Sequence, residues 1–579
     1  MPEVITDNLA LWTSALLTKS TAGRGSNGKL EAYGIKKLRE LILELAVRGK
    51  LVPQDANDEP ASVLLERIAK EKARLIKGGK IKQEKPFPEV DVDDTPYVIP
   101  ANWEWARLPN IASYKPGKTP STKNPSYWSE NPDDVPWVSI SDMEHFGVLT
   151  ETSKKITPEA AKNVFGYEPI PQGSLLMSFK LTVGKMAILG VDAYHNEAIL
   201  SIQPYSGIER DYLLKVLPTR AQEGNTKRAI MGDTLNSTSL ALLLIPVPPL
   251  AEQHRIVAKV DELMALCDQL EQQQTHSLEA HQTLVASLLG TLTRVESQQE
   301  FIAAWGRIAS HFDTLFTTEA SIDQLKQTIL QLAVMGKLVP QNPGDEPASV
   351  LLKGIQAEKA KLIAEGKIKK DKSLELITDD EKPYGLPQGW VWSRVGQLFN
   401  VTSGGSFDIA SEKESGKYIY VKVGDMNIPG NETVISTSSR FVNPTEKELR
   451  GIIPANSIIF PKRGGAIATN KKRLVTSDIF VDLNIMAITI PKLISLQYAF
   501  HWLSGIDLSQ LNTGTSVPQI NHQDIEPLIF PLPPIEEQHR IVAKVDELMA
   551  LCDAIKARLA DAQAIQLHLA DAIVEQAVA

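Results

Sequence analysis

The stretch EQHRIVAKVDELMALCD fills Glu252–Asp268 and returns unchanged at Glu537–Asp553. A proline-rich stop precedes each copy, PVPPLA at Pro246–Ala251 and PLPPIE at Pro531–Glu536. The apolar positions fall at heptad-like intervals, Ile256, Val260, Leu263, Cys267 and Leu270 in the first copy, Ile541, Val545, Leu548 and Ile555 in the second. Both copies read as the starts of long helices with one apolar seam. Continued to Gly290, the first would hold about 40 residues and span on the order of 60 Å.

Outward from this motif the repeat widens. Leu325–Lys369 copies Leu38–Lys82 at an offset of 287, and Trp390-Val-Trp392 copies Trp103-Glu-Trp105 at the same offset. The copied parts are helical in pattern. Leu38, Leu41, Ile42 and Leu45 make one face, Gly49 sits where a left-handed C-cap belongs, and Pro53 prevents continuation. A second helix follows Asp58, the expected cap, and Pro60, and it stops at Gly78-Gly79. Between the copied parts lie two diverged segments of short apolar runs broken by Gly, Pro and Asn. Val135–Ser141, Gly173–Phe179 and Lys185–Gly190 read as strands, and Asp211–Leu217 as a short helix or strand.

One helical scaffold is therefore present twice and carries two different β-rich modules, an α+β chain with an internal repeat. The expected division is 1–99 helical, 100–249 β-rich, 250–386 helical, 387–534 β-rich and 535–579 helical. The N-terminal helix from Tyr33 and the last helix together should imitate the central helices, giving pseudo-twofold symmetry.

Composition narrows the class. The chain has 579 residues, a net charge of −9 and two cysteines, Cys267 and Cys552, at the same seam position of the two copies. Small apolar seam residues fit that placement better than disulfide halves, which points to a reducing compartment. No basic-then-apolar leader opens the chain, and no apolar run reaches the ~20 residues that span a bilayer. A cytoplasmic protein with no membrane partner is expected.

Catalytic signatures are missing: no GxxxxGK[ST] loop, no HExxH, no glycine-rich cofactor loop after a strand. Glu252 and His254 lack a third ligand at helical spacing, so a metal pair is disfavoured. A helix start fits better, with Glu252 at the positive dipole end and Gln253 and Arg255 facing solvent or a partner. Trp103/Trp105 and Trp390/Trp392 could stack on bases, but alternating Trp at a strand start more often packs inward.

The modules hold the informative loops. The first carries 14 Lys and Arg against 15 Asp and Glu, yet its cations cluster at KPGKTPSTK, at Lys180 and at NTKR. The candidate DNA contacts there are Lys118, Thr119, Lys123, Lys180, Lys227 and Arg228. The second offers PKRGG, NKKR and NTGTSVPQIN, with Lys462, Arg463, Lys471, Lys472, Thr515, Gln519 and Asn521. Gly allows close backbone approach, Lys and Arg meet phosphate, and Asn, Gln and Thr suit base edges.

Together these features resemble the specificity (S) subunit of Type I restriction-modification systems, in its form with an extended N-terminal region. The resemblance rests on PPLAEQHRI (Pro248–Ile256), PPIEEQHRI (Pro533–Ile541) and GTSVPQIN (Gly514–Asn521), and it covers about residues 30–579. AIMGDTLN (Ala229–Asn236) stands in the first module where GTSVPQIN stands in the second, a departure from the pattern. The resemblance implies two target recognition domains separated by an antiparallel coiled coil, with Ile256, Val260, Leu263, Leu270, Ile541, Val545, Leu548 and Ile555 in the seam or docking partners. It implies double-stranded DNA, two modification (M) subunits and two restriction (R) subunits as partners, and a bipartite asymmetric target. It also implies a non-catalytic chain that binds no cofactor, with S-adenosylmethionine, ATP and Mg2+ belonging to the partner subunits. A helical adaptor whose β-rich modules bind proteins is the alternative.

Overall fold

The computed structural model describes residues 3–19, 29–79, 90–223, 227–229, 232–234, 237–366, 368, 374–511 and 517–579. They form two compact units, Met1–Leu17 with Glu31–Thr275 and Ala564–Ala579, and Thr18–Leu30 with His276–Gln563. Among the described residues no helix is long and apolar enough to cross a membrane.

The fold is α+β, and both units obey one plan. In the first, helix Tyr33–Val47 buries Ile35, Leu38, Leu41 and Ile42. These share a core with Ile256, Val260, Leu263 and Cys267, from the head of the long helix Leu250–Arg294. Ala570, near the end of the other long helix Ile535–Val578, joins the same core, and Leu270 packs on it half-buried. In the second unit helix Glu319–Val334 takes the place of Tyr33–Val47. Ile541, Val545 and Cys552 come from the head of the C-terminal long helix, and Val285, Leu289 and Leu292 from the tail of the central one. Leu548 and Ile555 pack there half-buried. Each unit thus combines one long helix's head with the other's tail, the arrangement of an antiparallel pair. The central helix overruns Gly290 because Leu292 is fully buried, so tertiary packing carries the helix on to Arg294.

The helix ends repeat as well. Gly49 and Gly336 adopt φ of 68° and 69°, the left-handed conformation expected after a helix. A Cβ at either would stand 2.4 Å from Pro100 or Pro387. The next residue caps a long helix: Lys50 Nζ reaches Ala577 O at 3.4 Å, and Lys337 Nζ reaches Thr293 O and Val295 O at 2.9 and 2.7 Å.

The repeated Glu-Gln-His-Arg is a socket, which corrects the solvent-facing reading of Gln253 and Arg255. Glu252, Gln253, Glu537 and Gln538 are all buried. Trp103 Nε1 donates to Glu252 and Trp390 Nε1 to Glu537, both at 2.9 Å. Gln54 and Gln341 donate to the remaining carboxylate oxygens at 2.6 and 3.1 Å. Burial raises both carboxyl pKa values above the ordinary range. Asp58 is not a cap: it ion-pairs with Arg255 at 2.5 Å, as Asp345 does with Arg540 at 2.6 Å, and Pro60 takes the N-cap position. Among the described residues Gln253 binds main chain only, accepting from Glu209 N at 2.7 Å and donating to Pro248 O at 3.0 Å and Gly207 O at 3.5 Å. Gln538 does the same with Ser495 N at 2.9 Å and Pro533 O at 3.0 Å.

Despite their divergent sequences, the two modules share a topology. In each, the strand after the first Trp pairs antiparallel with the strand leading into the long helix, Glu104–Arg107 with Leu244–Val247 and Val391–Arg394 with Ile529–Leu532. The first module's main sheet orders Ala112–Pro116, Ile199–Pro204, Leu175–Ser178 and Met186–Leu189, with Val148–Leu149 at the edge. The second orders Asn400–Ser403, Ile485–Thr489, Ser457–Pro461 and Arg473–Val475. A smaller sheet accompanies each, built on one parallel pair: Tyr194–His195 with Val135–Val138, and Phe480–Val481 with Tyr418–Val421. The strand expected over Val135–Ser141 stops at Val138, because Asp142 accepts from Ser139 N at 2.8 Å and turns the chain. Asp211–Leu217 lies in helix Arg210–Glu223.

Candidate nucleic-acid interface

In the second module, strand Ser457–Pro461 runs out into Lys462-Arg463-Gly464-Gly465. This exit pairs with the returning chain: Ile520 N donates to Lys462 O and Gly464 N to Pro518 O, both at 2.8 Å. Arg463 therefore lies directly opposite Gln519 in an antiparallel bridge. Gln519 Nε2 donates to Asn521 Oδ1 at 2.8 Å, so Arg463, Gln519 and Asn521 share one edge. Arg463 is exposed and makes no side-chain hydrogen bond or ion pair among the described residues. Among the described residues it is the free cation of this edge.

Lys462 is half-buried and donates to Ser403 Oγ at 2.9 Å, and burial, helped by neighbouring Arg463, lowers its pKa. Ser403 Oγ also meets His522 Nε2 at 3.3 Å, while His522 Nδ1 faces Glu526 at 3.0 Å. Ser403 and His522 were not singled out from sequence, since a serine before Gly-Gly and a histidine after Asn look like turn residues.

The remaining second-module candidates fare unequally. Lys471 is half-buried and bonded to Asn427 Oδ1. Lys472 is no phosphate contact, which corrects that expectation. It is 5% exposed, donates to Asn470 Oδ1 at 2.7 Å and Ile506 O at 2.6 Å, and burial pulls its pKa down to about 7. The NKKR run leads straight into strand Arg473–Val475, so part of it points inward. Thr515 lies outside the described residues.

The first module presents the same edge in different chemistry. Lys180–Leu181 pairs with Gly232–Thr234, which pairs in turn with Lys227–Ala229. Lys180 is opposite Thr234, as Arg463 is opposite Gln519, and Lys227 and Arg228 lie on the third strand of that sheet. Within AIMGDTLN, the described strand Gly232–Thr234 pairs with Lys180–Leu181 where Gln519 pairs with Arg463 in the second module; the rest of that stretch lies partly outside the described residues. Lys118, Thr119 and Lys123 follow strand Ala112–Pro116 and are exposed. Lys118 Nζ donates to Val164 O at 2.7 Å, Thr119 to Glu197, and Lys115 stands 3.0 Å from the Tyr167 ring centroid. Lys115 belongs to a cluster visible in the sequence, whereas nothing marked Tyr167.

The tryptophans divide by role. Trp103 and Trp390 are buried in the sockets, and Trp105 and Trp392 pack half-buried against Tyr97 and Tyr384.

Two like-folded modules with unlike polar edges thus stand on a duplicated helical scaffold. The chain belongs to the Type I restriction-modification specificity family: the model of the Type I restriction modification DNA specificity domain matches residues 100–280 and 387–562. Members of this family are the non-catalytic, target-recognising components of their systems. The chain is 41% identical to the Type I restriction enzyme EcoAI specificity subunit of Escherichia coli and 39% identical to the EcoEI specificity subunit of the same species. Each alignment covers 100% of this chain and 99% of the relative. The HsdS subunit of Thermoanaerobacter tengcongensis, a solved structure, is similar at 17% identity and TM-score 0.41, over 83% of this chain and 98% of that one.

Proposed function

We propose that the modules at 100–249 and 387–534 are target recognition domains, each reading one half of a bipartite, asymmetric site in double-stranded DNA. The observation that carries this reading is the shared register: a cation faces a polar residue at one edge position in both modules, as Lys180–Thr234 and as Arg463–Gln519. Cations there position the edge on phosphate or guanine, and the polar partner meets base edges. Unlike pairs at like positions give unlike half-sites. Lys118, Lys123, Lys227, Arg228 and Lys471 supply flanking charge, and Asn521 extends the second edge.

In this reading the repeated helices dock two modification subunits, and two restriction subunits complete the assembly. The relatives are named specificity subunits of Type I restriction enzymes, which supports that composition. S-adenosylmethionine, ATP and Mg2+ act in those partner chains. Ile256, Val260, Leu263, Ile541 and Val545 are fully buried within their own units, so docking falls to the outer helix faces and these residues serve the seam.

The test is a modified-base map of DNA methylated by the reconstituted complex. Lys180→Ala should relax one half-site, and Arg463→Ala the other. If both variants alter the same half-site, or neither, the assignment of one reader to each module fails.

A further inference from the structure

In the second unit a cavity of about 450 Å³ opens beside Tyr384, Trp392, Trp502, Gly505 and Ile506. The first unit has the same wall. Tyr97 and Trp105 stand in the places of Tyr384 and Trp392, with ring centroids 5.0 Å apart against 5.1 Å. Both phenols donate to the carbonyl at the end of the first scaffold helix, Tyr97 to Val47 O at 3.2 Å and Tyr384 to Val334 O at 3.0 Å.

What differs is the filling. In the first unit the Arg220 guanidinium lies 5.4 Å from the Tyr97 centroid and 5.5 Å from the Trp105 centroid. Its Nε donates to Leu244 O at 3.1 Å, and the residue is 5% exposed. Arg48 covers the same tyrosine at 4.4 Å. The second unit keeps the rings and loses both cations. Tyr212 and Tyr498 fix the alignment, since their hydroxyls donate to Pro246 O and Pro531 O at 2.8 and 2.9 Å. Counted from them, Ile506 takes the place of Arg220, and helix Leu496–Ser504 ends before it, whereas Arg210–Glu223 continues. Met335 takes the place of Arg48. Ile529, in the place of Leu244, lines the cavity.

We propose that this cavity receives a guanidinium side chain from a protein subunit docked on the second unit, filling from outside the place that Arg220 fills from within. The inference rests on the reading of this chain as a subunit that docks modification subunits. Its chemistry is that of the internal twin: two aromatic faces attract a cation, and a planar guanidinium stacks on them while donating to a main-chain carbonyl. A lysine ammonium matches only the first of these demands.

The test has two arms on the full-length chain. In the first, the tryptophans are replaced by 5-fluorotryptophan, and the Trp392 fluorine signal is assigned from its loss in Trp392→Phe. N-acetyl-arginine amide should move that signal saturably, N-acetyl-lysine amide more weakly, and N-acetyl-leucine amide not at all. Ile506→Arg, which rebuilds the first unit's filling, should move the signal unaided and abolish the response. A leucine amide effect equal to that of arginine amide, or no arginine effect, overturns the cation site. In the second arm, Ile506→Arg should weaken association with the modification subunit at least fivefold, and unchanged association overturns the docked occupant. If the unaltered chain holds no modification subunit, the functional reading fails, and the amide titration alone decides the cavity's chemistry.

Discussion

The indole N–H of Trp103 ends on the carboxylate of Glu252 at 2.9 Å, a bond that joins the start of a β-rich module to the first turn of the helix that leaves it. The Trp390–Glu537 bond repeats it at the same length. Glu252→Ala strips the acceptor from a buried indole and from Gln54 together. Leaving such donors unpaired should lower stability by about 2–4 kcal/mol. Urea unfolding of the full chain measures this, and a loss below about 0.5 kcal/mol, the range of ordinary surface changes, would remove the socket from the stability argument.

His195 sets an acid limit on the first module. It is 2% exposed, and burial drops its pKa to about 4, with main-chain contacts at Asn196 and Ile199 opposing the shift and Lys115 adding to it. Its folded pKa lies below the unfolded value near 6.5, so the neutral ring favours folding above pH ~6.5. That contribution is lost as pH falls from there toward 4, and its full size is about 3 kcal/mol. Unfolding free energies measured across this window should decline, and His195→Gln should flatten the decline.

Arg463 and Lys472 look alike in sequence and should behave differently. Arg463→Ala removes an exposed cation with no partner among the described residues, so affinity of the assembled complex for its DNA should fall and the salt slope should shrink by roughly one. Lys472→Ala removes a buried anchor of Asn470 and Ile506. It should lower stability and leave the slope unchanged. Equal slopes for Arg463→Ala and the unaltered chain would take Arg463 off the phosphate backbone.

Exchanging 387–534 for the corresponding segment of a relative tests the division of labour. One half of the methylated site should change and the other should persist. An unaltered methylation map would favour the adaptor reading, in which the modules bind proteins.

Much of this architecture could be read directly. Duplicated helices announce themselves by identity, and Gly49 and Gly336 mark helix ends because few residues tolerate their φ. The socket was illegible for a physical reason. Gln253 looks solvent-facing, yet its partners are the peptide groups of Glu209 and Pro248, and a peptide group leaves no trace in a sequence. Asp58 stands beside the nearest helix start in sequence, but Arg255 claims it from 197 residues away. At the candidate edge, residue type singles out Arg463 and Gln519, while their alignment with Lys180 and Thr234 needs strand register. Lys472 shows the converse failure, since a run of cations does not reveal which of them a strand turns inward.

Among the described residues Gln253 and Gln538 grip their modules through main-chain atoms alone, and those atoms are the same under any side chain. These two glutamines therefore seat a module without inspecting its side chains, while Glu252 and Glu537 ask for a tryptophan at its border. Exchange of a module between two such chains at the Trp and Pro-Pro borders should therefore keep both glutamine seats and the indole socket intact.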